Sequence, residues 1–158
     1  MSTVATSTPE QLSEKLHLLL SSKRIVRNTG ENKVLDVKGR DRQPGTAVIL
    51  WDKNGQDNQN WNFVQQGKNS YLIQSAMNNM VATIREAKRD DGTPIIMAEN
   101  QNIESQRWRI EPQPDGAVAI ISELRGCKGE ELLLTGVGEL AEVRRRLGDA
   151  SQSWALED

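Results

Sequence analysis

The chain has 158 residues, 36% of them hydrophobic, and a formal net charge of −2. That length makes one domain with a real core, and a charge so near zero excludes strong steering toward nucleic acid or an anionic membrane. A single cysteine, Cys127, excludes an internal disulfide, and with the only histidine, His17, it gives too few ligands for an ordinary zinc site. Cys127 therefore reads as an unpaired structural thiol.

In chain order, residues 1–8 are small and polar and read as disordered. Thr8-Pro9-Glu10-Gln11 then carries the marks of a helix start: a capping hydroxyl, proline at the first helical position and glutamine where a capping box needs it. Leu12, Leu16, Leu19 and Leu20 follow at helical spacing, which predicts a short helix over 9–20 with one apolar face. It reads as a lid on the main domain, the alternative being a contact between two chains. No run is long and apolar enough to cross a bilayer, and no basic start precedes the Leu18-Leu19-Leu20 run. A cytoplasmic protein without a leader is expected, non-classical release being the alternative. Residues 1–21 are thus set apart from a main domain over 22–158.

From Ser22 the helix signals give way to short strands. Ile25-Val26, Val34 to Val37, Ala47 to Trp51 and Trp61 to Val64 form a first set of four. Tyr71 to Ile73, Met80 to Ile84, Ile95 to Met97 and Trp108 to Ile110 form a second. Val118 to Ile121, Leu132 to Leu134, Val143 to Leu147 and Trp154 to Leu156 form a third. Turn pairs such as Pro44-Gly45, Asn54-Gly55, Asp91-Gly92 and Asp115-Gly116 separate them. Within Val143 to Leu147, Arg144-Arg145-Arg146 lies between Glu142 and Asp149 and reads as a solvated strand or loop, not a phosphate site.

One motif closes each set: Gln59-Asn60-Trp61, Gln106-Arg107-Trp108 and Gln152-Ser153-Trp154, with tryptophans 47 and then 46 positions apart. A rare residue recurring at a near-constant interval marks an internal repeat. Three sets of four strands without intervening helices predict an all-β, closed antiparallel fold with threefold pseudosymmetry, because closure removes exposed edges. The three tryptophans read as structural, and each glutamine as a lock on the loop before its strand. The fourth tryptophan, Trp51, occurs only in the first repeat.

Three such units resemble the ricin B-type (R-type) lectin β-trefoil over about residues 22–158. The family's frequent disulfides are absent. A working sugar site in that family combines an early Asp, an aromatic on the third strand and an Asn before the Gln-x-Trp glutamine. The first repeat matches with Asp36, Trp51, Asn58 and Gln59, and Gly39 stands where a backbone amide can face the sugar. Ile49 departs from members that place a polar residue there. The chemistry is sound in itself: a carboxylate accepts from two adjacent hydroxyls, an indole offers a flat apolar platform to C–H groups, and an amide both donates and accepts. Asp36 reads here as a surface acid.

The second repeat has Thr83, Ala98 and Ser105 at these places, and the third has Thr135 and Ser151 with only 19 residues from Thr135 to Trp154, so both read as scaffold. The resemblance implies a lectin without catalytic activity or cofactor. It would bind galactose- or N-acetylgalactosamine-type glycans at one site, with oligomerisation left open. No carboxylate pair stands out as a glycosidase acid and nucleophile. The alternative is a protein-binding trefoil such as a protease inhibitor, since this fold hosts unrelated functions.

Overall fold

A computed structural model describes residues 8–158, apart from the side chains of Pro9, Glu10 and Leu12. The expectations for residues 1–7 and for the side chain of Leu12 lie outside the described part.

Helix α1 spans Pro9–Leu20 and opens on the expected capping box: Gln11 N donates to Thr8 Oγ1 and Thr8 N to Gln11 Oε1. Each cap satisfies one backbone donor that a helix start otherwise leaves without a partner. The helix ends on the domain, beside the eighth strand. Leu20 is buried in the main core and Leu16 packs against it, whereas Leu18 faces outward. The apolar stripe is thus covered in part by the chain's own barrel.

Twelve strands follow: β1 (Ile25–Asn28), β2 (Lys33–Val37), β3 (Val48–Trp51) and β4 (Trp61–Gly67) form the first repeat. The second has β5 (Ser70–Ser75), β6 (Val81–Ile84), β7 (Thr93–Ala98) and β8 (Trp108–Pro112). The third has β9 (Val118–Ser122), β10 (Leu132–Val137), β11 (Leu140–Arg145) and β12 (Trp154–Glu157). The pairings β4–β5, β8–β9 and β12–β1, joined by β5–β8, β9–β12 and the Arg24–Trp61 bridge, close six strands into a barrel. Hairpins β2–β3, β6–β7 and β10–β11 cap it. Each hairpin touches the next through the start of its third strand: Ala47 bridges Ile96, Pro94 pairs with Glu142, and Leu140 pairs with Ile49. This is the β-trefoil.

One strand departs from the sequence reading. The strand expected over Val143 to Leu147 begins instead at Leu140 and stops at Arg145. The β10–β11 hairpin turns on two residues, Gly138 and Glu139, with Gly138 at φ +60°. A two-residue turn with positive φ at its first central position favours glycine there, and it carries the strand pairing out to Val137 and Leu140. The corresponding connections in the other repeats, 38–47 and 85–92, are long loops. The three arginines all have acidic neighbours: Arg144 pairs with Glu142, Arg145 with Asp91, and Arg146 with Glu131 and Glu111.

The core is built around Trp61, Trp108 and Trp154, all fully buried. Each indole N–H donates to a carbonyl on the second strand of its own repeat: Trp61 to Leu35 O at 3.1 Å, Trp108 to Ala82 O at 3.3 Å and Trp154 to Leu134 O at 3.0 Å. Val26, Leu35, Leu50, Ile73, Ile84, Met97, Ile110, Ile120 and Leu134 fill the space between them.

Two outcomes follow from this packing. Trp108→Ala should lower stability by roughly 3–5 kcal/mol in urea unfolding, the range for large-to-small aromatic changes in a core. Trp51→Ala should leave the midpoint nearly unchanged. Removal of residues 1–21 strips Leu16 and Leu20 from the barrel, so the truncated chain should melt at a lower temperature with an unchanged number of chains per particle by light scattering.

Candidate functional site

Strands β2 and β3 run antiparallel with Asp36 opposite Ile49 and Val34 opposite Trp51. Side chains alternate between the faces of a strand, so Asp36 and Ile49 share one side, and Trp51, two residues beyond Ile49, stands on it too. After β2 the chain turns through Lys38–Arg40, where Gly39 takes φ +64°, a conformation open to glycine at little cost. After β3 it loops back through a short 3₁₀ turn at Asp57–Gln59, which returns Asn58 and Gln59 to β2. Asp36, Gly39, Trp51 and Asn58 thereby line one open cavity of about 510 Å³ together with Lys38, Arg40, Ile49 and Asn54. Arg40 also pairs with Asp57 at 2.9 Å, joining the two loops at the cavity's edge.

The three side chains of this set differ in environment. Trp51 is 46% exposed, the chain's only tryptophan on the surface, so its ring is a platform and not a core filler. Asp36 is not the surface acid that the sequence implied. Only 3% of the residue is accessible, because β3 and the Asp57–Gln59 turn cover all but the part of it that meets the cavity. Burial raises its pKa above the ordinary carboxylate value, while hydrogen bonds from Gln59 and Asn58 work against that shift. Asn58 donates from Nδ2 to Val37 O at 3.2 Å, and its Oδ1 is a buried acceptor with no protein partner.

Gln59 stands apart from the other four, behind the cavity. Its Nε2 donates to Asp36 Oδ2 and to Asp52 O, both at 2.8 Å, and its Oε1 accepts from Asn54 N at 2.8 Å. Its amide is committed to holding the carboxylate against the loop after β3. The other repeats contain the same lock. Gln106 binds Thr83 Oγ1, Glu99 O and Gln101 N, and Gln152 binds Thr135 Oγ1, Arg145 O and Leu147 N. Only in the first repeat is the side chain at the end of the lock a carboxylate.

The register aligns the repeats residue by residue. Val81 faces Ala98 as Val34 faces Trp51, and Thr83 faces Ile96 as Asp36 faces Ile49. In the third repeat Leu133 faces Arg144 and Thr135 faces Glu142. Thr83 and Thr135 each donate their hydroxyl to the carbonyl two residues back, at 2.9 Å. Neither repeat joins a carboxylate on the second strand to an aromatic on the third. Sequence reasoning did not single out Lys38, Arg40 and Asn54 as lining residues. Their only signal was adjacency to Gly39 and to the Asn54-Gly55 turn.

A family model described as "Ricin-type beta-trefoil lectin domain-like" matches residues 23–98 and 57–129. No curated protein matches the chain by sequence. Among solved structures, a designed threefold-symmetric protein, ThreeFoil, superposes with TM-score 0.79 at 22% identity, covering 86% of this chain and 98% of that one. The C-half of an earthworm R-type lectin in complex with GalNAc gives 0.63 at 20% identity, covering 85% and 97%. An exo-β-1,3-galactanase from Clostridium thermocellum gives 0.76 at 21% identity, covering 87% of this chain but only 30% of the enzyme.

The lock generates a test of its own. Gln59→Ala should cost about 1–3 kcal/mol, because it strands a buried carboxylate and two backbone groups. Hydrogen exchange at Asn54 should accelerate, while the equivalent amides Gln101 and Leu147 keep their protection.

Proposed function

Since the chain belongs to the ricin-type β-trefoil lectin domain-like family, we propose that it is a carbohydrate-binding lectin with one site per chain, formed by Asp36, Gly39, Trp51 and Asn58 and held from behind by Gln59. The observation that carries this reading is the convergence of a buried carboxylate, an exposed indole and an amide side chain on one open cavity. A sugar ring presents a C–H face and, along one edge, adjacent hydroxyls. The face stacks on Trp51, excluding water from both surfaces. Two hydroxyls donate to Asp36 in charge-assisted bonds, and a third bonds to the amide of Asn58. Nothing in this scheme calls for bond cleavage, so the proposal is of binding without catalysis.

Galactose- and N-acetylgalactosamine-type glycans are the proposed ligands. The support is indirect: the earthworm R-type lectin was solved with GalNAc. Affinity for a simple sugar is expected on the order of millimolar to high micromolar, as suits a shallow site with few polar anchors. Useful avidity then comes from several sites presented together.

The test is a glycan array of the wild type beside Asp36→Ala, followed by calorimetric titration with methyl galactoside. The expected result is retention of galactose- or N-acetylgalactosamine-terminated glycans, a stoichiometry of one, and loss of binding in the variant. Two or three equivalent sites per chain would overturn the assignment.

The pH dependence has a definite sign. Hydroxyl donors favour the ionised form of Asp36, so affinity is complete above the pKa of the free protein and falls as pH drops through it. Because that pKa is raised, the loss should begin at a higher pH than an ordinary carboxylate would give. For folding the sign is reversed. A raised native pKa means that the ionised group opposes folding above it, an effect relieved as pH falls through the native value. Asp36→Asn should therefore bind poorly at pH 7 yet melt no lower than the wild type.

A further inference from the structure

The first-repeat cavity does not end within its own repeat. Ile49 pairs on one side with Asp36 and on the other with Leu140, the first residue of β11 in the third repeat. Paired residues in antiparallel strands project to the same face. Asp36, Ile49 and Leu140 therefore form a row across three strands, with the carboxylate at one end and a leucine at the other. Leu140 is 57% exposed although it is a large apolar residue beside a cavity that already holds an exposed indole.

The pseudosymmetry makes this position informative. The row in the second repeat runs Thr83, Ile96, Ala47, and in the third Thr135, Glu142, Pro94. Leucine occupies the last place only where the row begins with the carboxylate. The residue before it is tied to the first repeat: Leu50 N donates to Glu139 O at 2.9 Å, and Lys33 pairs with the Glu139 side chain at 3.7 Å. The two-residue turn at Gly138-Glu139 keeps the tip short, in place of the long 38–47 connection that precedes β3. The result is an apolar shelf, Ile49 and Leu140, that continues the floor of the cavity away from Asp36.

We infer that Leu140 is a specificity-determining residue of the first-repeat site, contributed by the third repeat. It selects sugars that carry an apolar substituent extending beyond the ring over Ile49. The inference rests on the binding of a sugar at Asp36 and Trp51 proposed above. An unsubstituted ring held by Asp36 and Trp51 leaves the shelf in water, whereas an apolar group on the ring covers Leu140 and removes both surfaces from solvent. The group can sit at the anomeric carbon, as an aryl aglycone, or at the next carbon, as an acetamide methyl. Both present the same chemistry to the shelf.

Calorimetric titration separates the outcomes, using methyl galactoside, the α and β anomers of phenyl galactoside, and N-acetylgalactosamine with galactose as its reference. In the wild type at least one phenyl anomer, or N-acetylgalactosamine, should bind about five- to tenfold tighter than its unsubstituted reference, a gain typical of covering several tens of Å² of apolar surface. In Leu140→Ala, which installs the residue found at position 47, that ratio should fall to about one while methyl galactoside binds as before. The ratio that collapses identifies the position of the apolar group. The inference is overturned if no substituted sugar gains over its reference, if the gain survives in Leu140→Ala, or if the variant weakens methyl galactoside equally. Failure of the wild type to bind any of these sugars would instead remove the lectin reading, and this inference with it.

Discussion

Three hydrogen bonds from buried indoles hold the molecule together. Trp61, Trp108 and Trp154 each open the last strand of a repeat, and each donates its ring N–H to the second strand of that repeat. A fully buried indole needs a partner for its only donor, and here the partner is a backbone carbonyl that fixes the distance between barrel and hairpin. Two residues earlier, the glutamine side chain ties the end of the hairpin to the second strand of the repeat. Together the two side chains fold a linear stretch of four strands back on itself. Three such units then share a core and close a barrel that none could close alone.

The same lock determines where binding chemistry can arise. In the second and third repeats the lock ends on a threonine, whose hydroxyl accepts from the glutamine and donates to the carbonyl two residues back. Such a group is satisfied within its own repeat. A carboxylate in that place has no proton to donate and several lone pairs to offer. Asp36 accepts one bond from Gln59, stays partly desolvated, and keeps acceptor capacity turned toward the cavity. Aspartate in place of threonine leaves acceptor capacity that the repeat itself does not use, at some cost in stability because a buried charge is harder to solvate. Retaining the carboxylate in one repeat of three confines that cost to one place.

Most of the fold was legible in the sequence. Both the interval between the Gln-x-Trp motifs and the clusters of short apolar runs reflect local chemistry, and the strands fall within a few residues of their expected places. The capping box of α1 is local too, and so are its ends. What escaped was set by contacts far apart in sequence. The start of β11 at Leu140 depends on a hairpin pairing carried by Gly138, and apolar patterning alone pointed to the Val143 half. Asp36 looked like a surface acid because its cover comes from β3 and from a turn more than twenty residues later. The residues that the family resemblance grouped, Asp36, Gly39, Trp51, Asn58 and Gln59, do gather in one place. Only the structure shows that Gln59 faces the scaffold while the other four face the cavity.

Threefold pseudosymmetry also misleads a repeat-by-repeat comparison in a systematic way. A residue at the start of each third strand pairs outside its own repeat: Ala47 lies against the second, Pro94 against the third and Leu140 against the first. Aligning the repeats assigns Leu140 to a unit with threonine at the acid position and no aromatic on its third strand, where an exposed leucine has no purpose. Rotating the assignment by one repeat places it beside Ile49, next to the chain's only exposed tryptophan and only lock-bound carboxylate. The short Gly138-Glu139 turn then ceases to look like a truncation of the third repeat. It is the feature that leaves the first repeat's cavity open on that side.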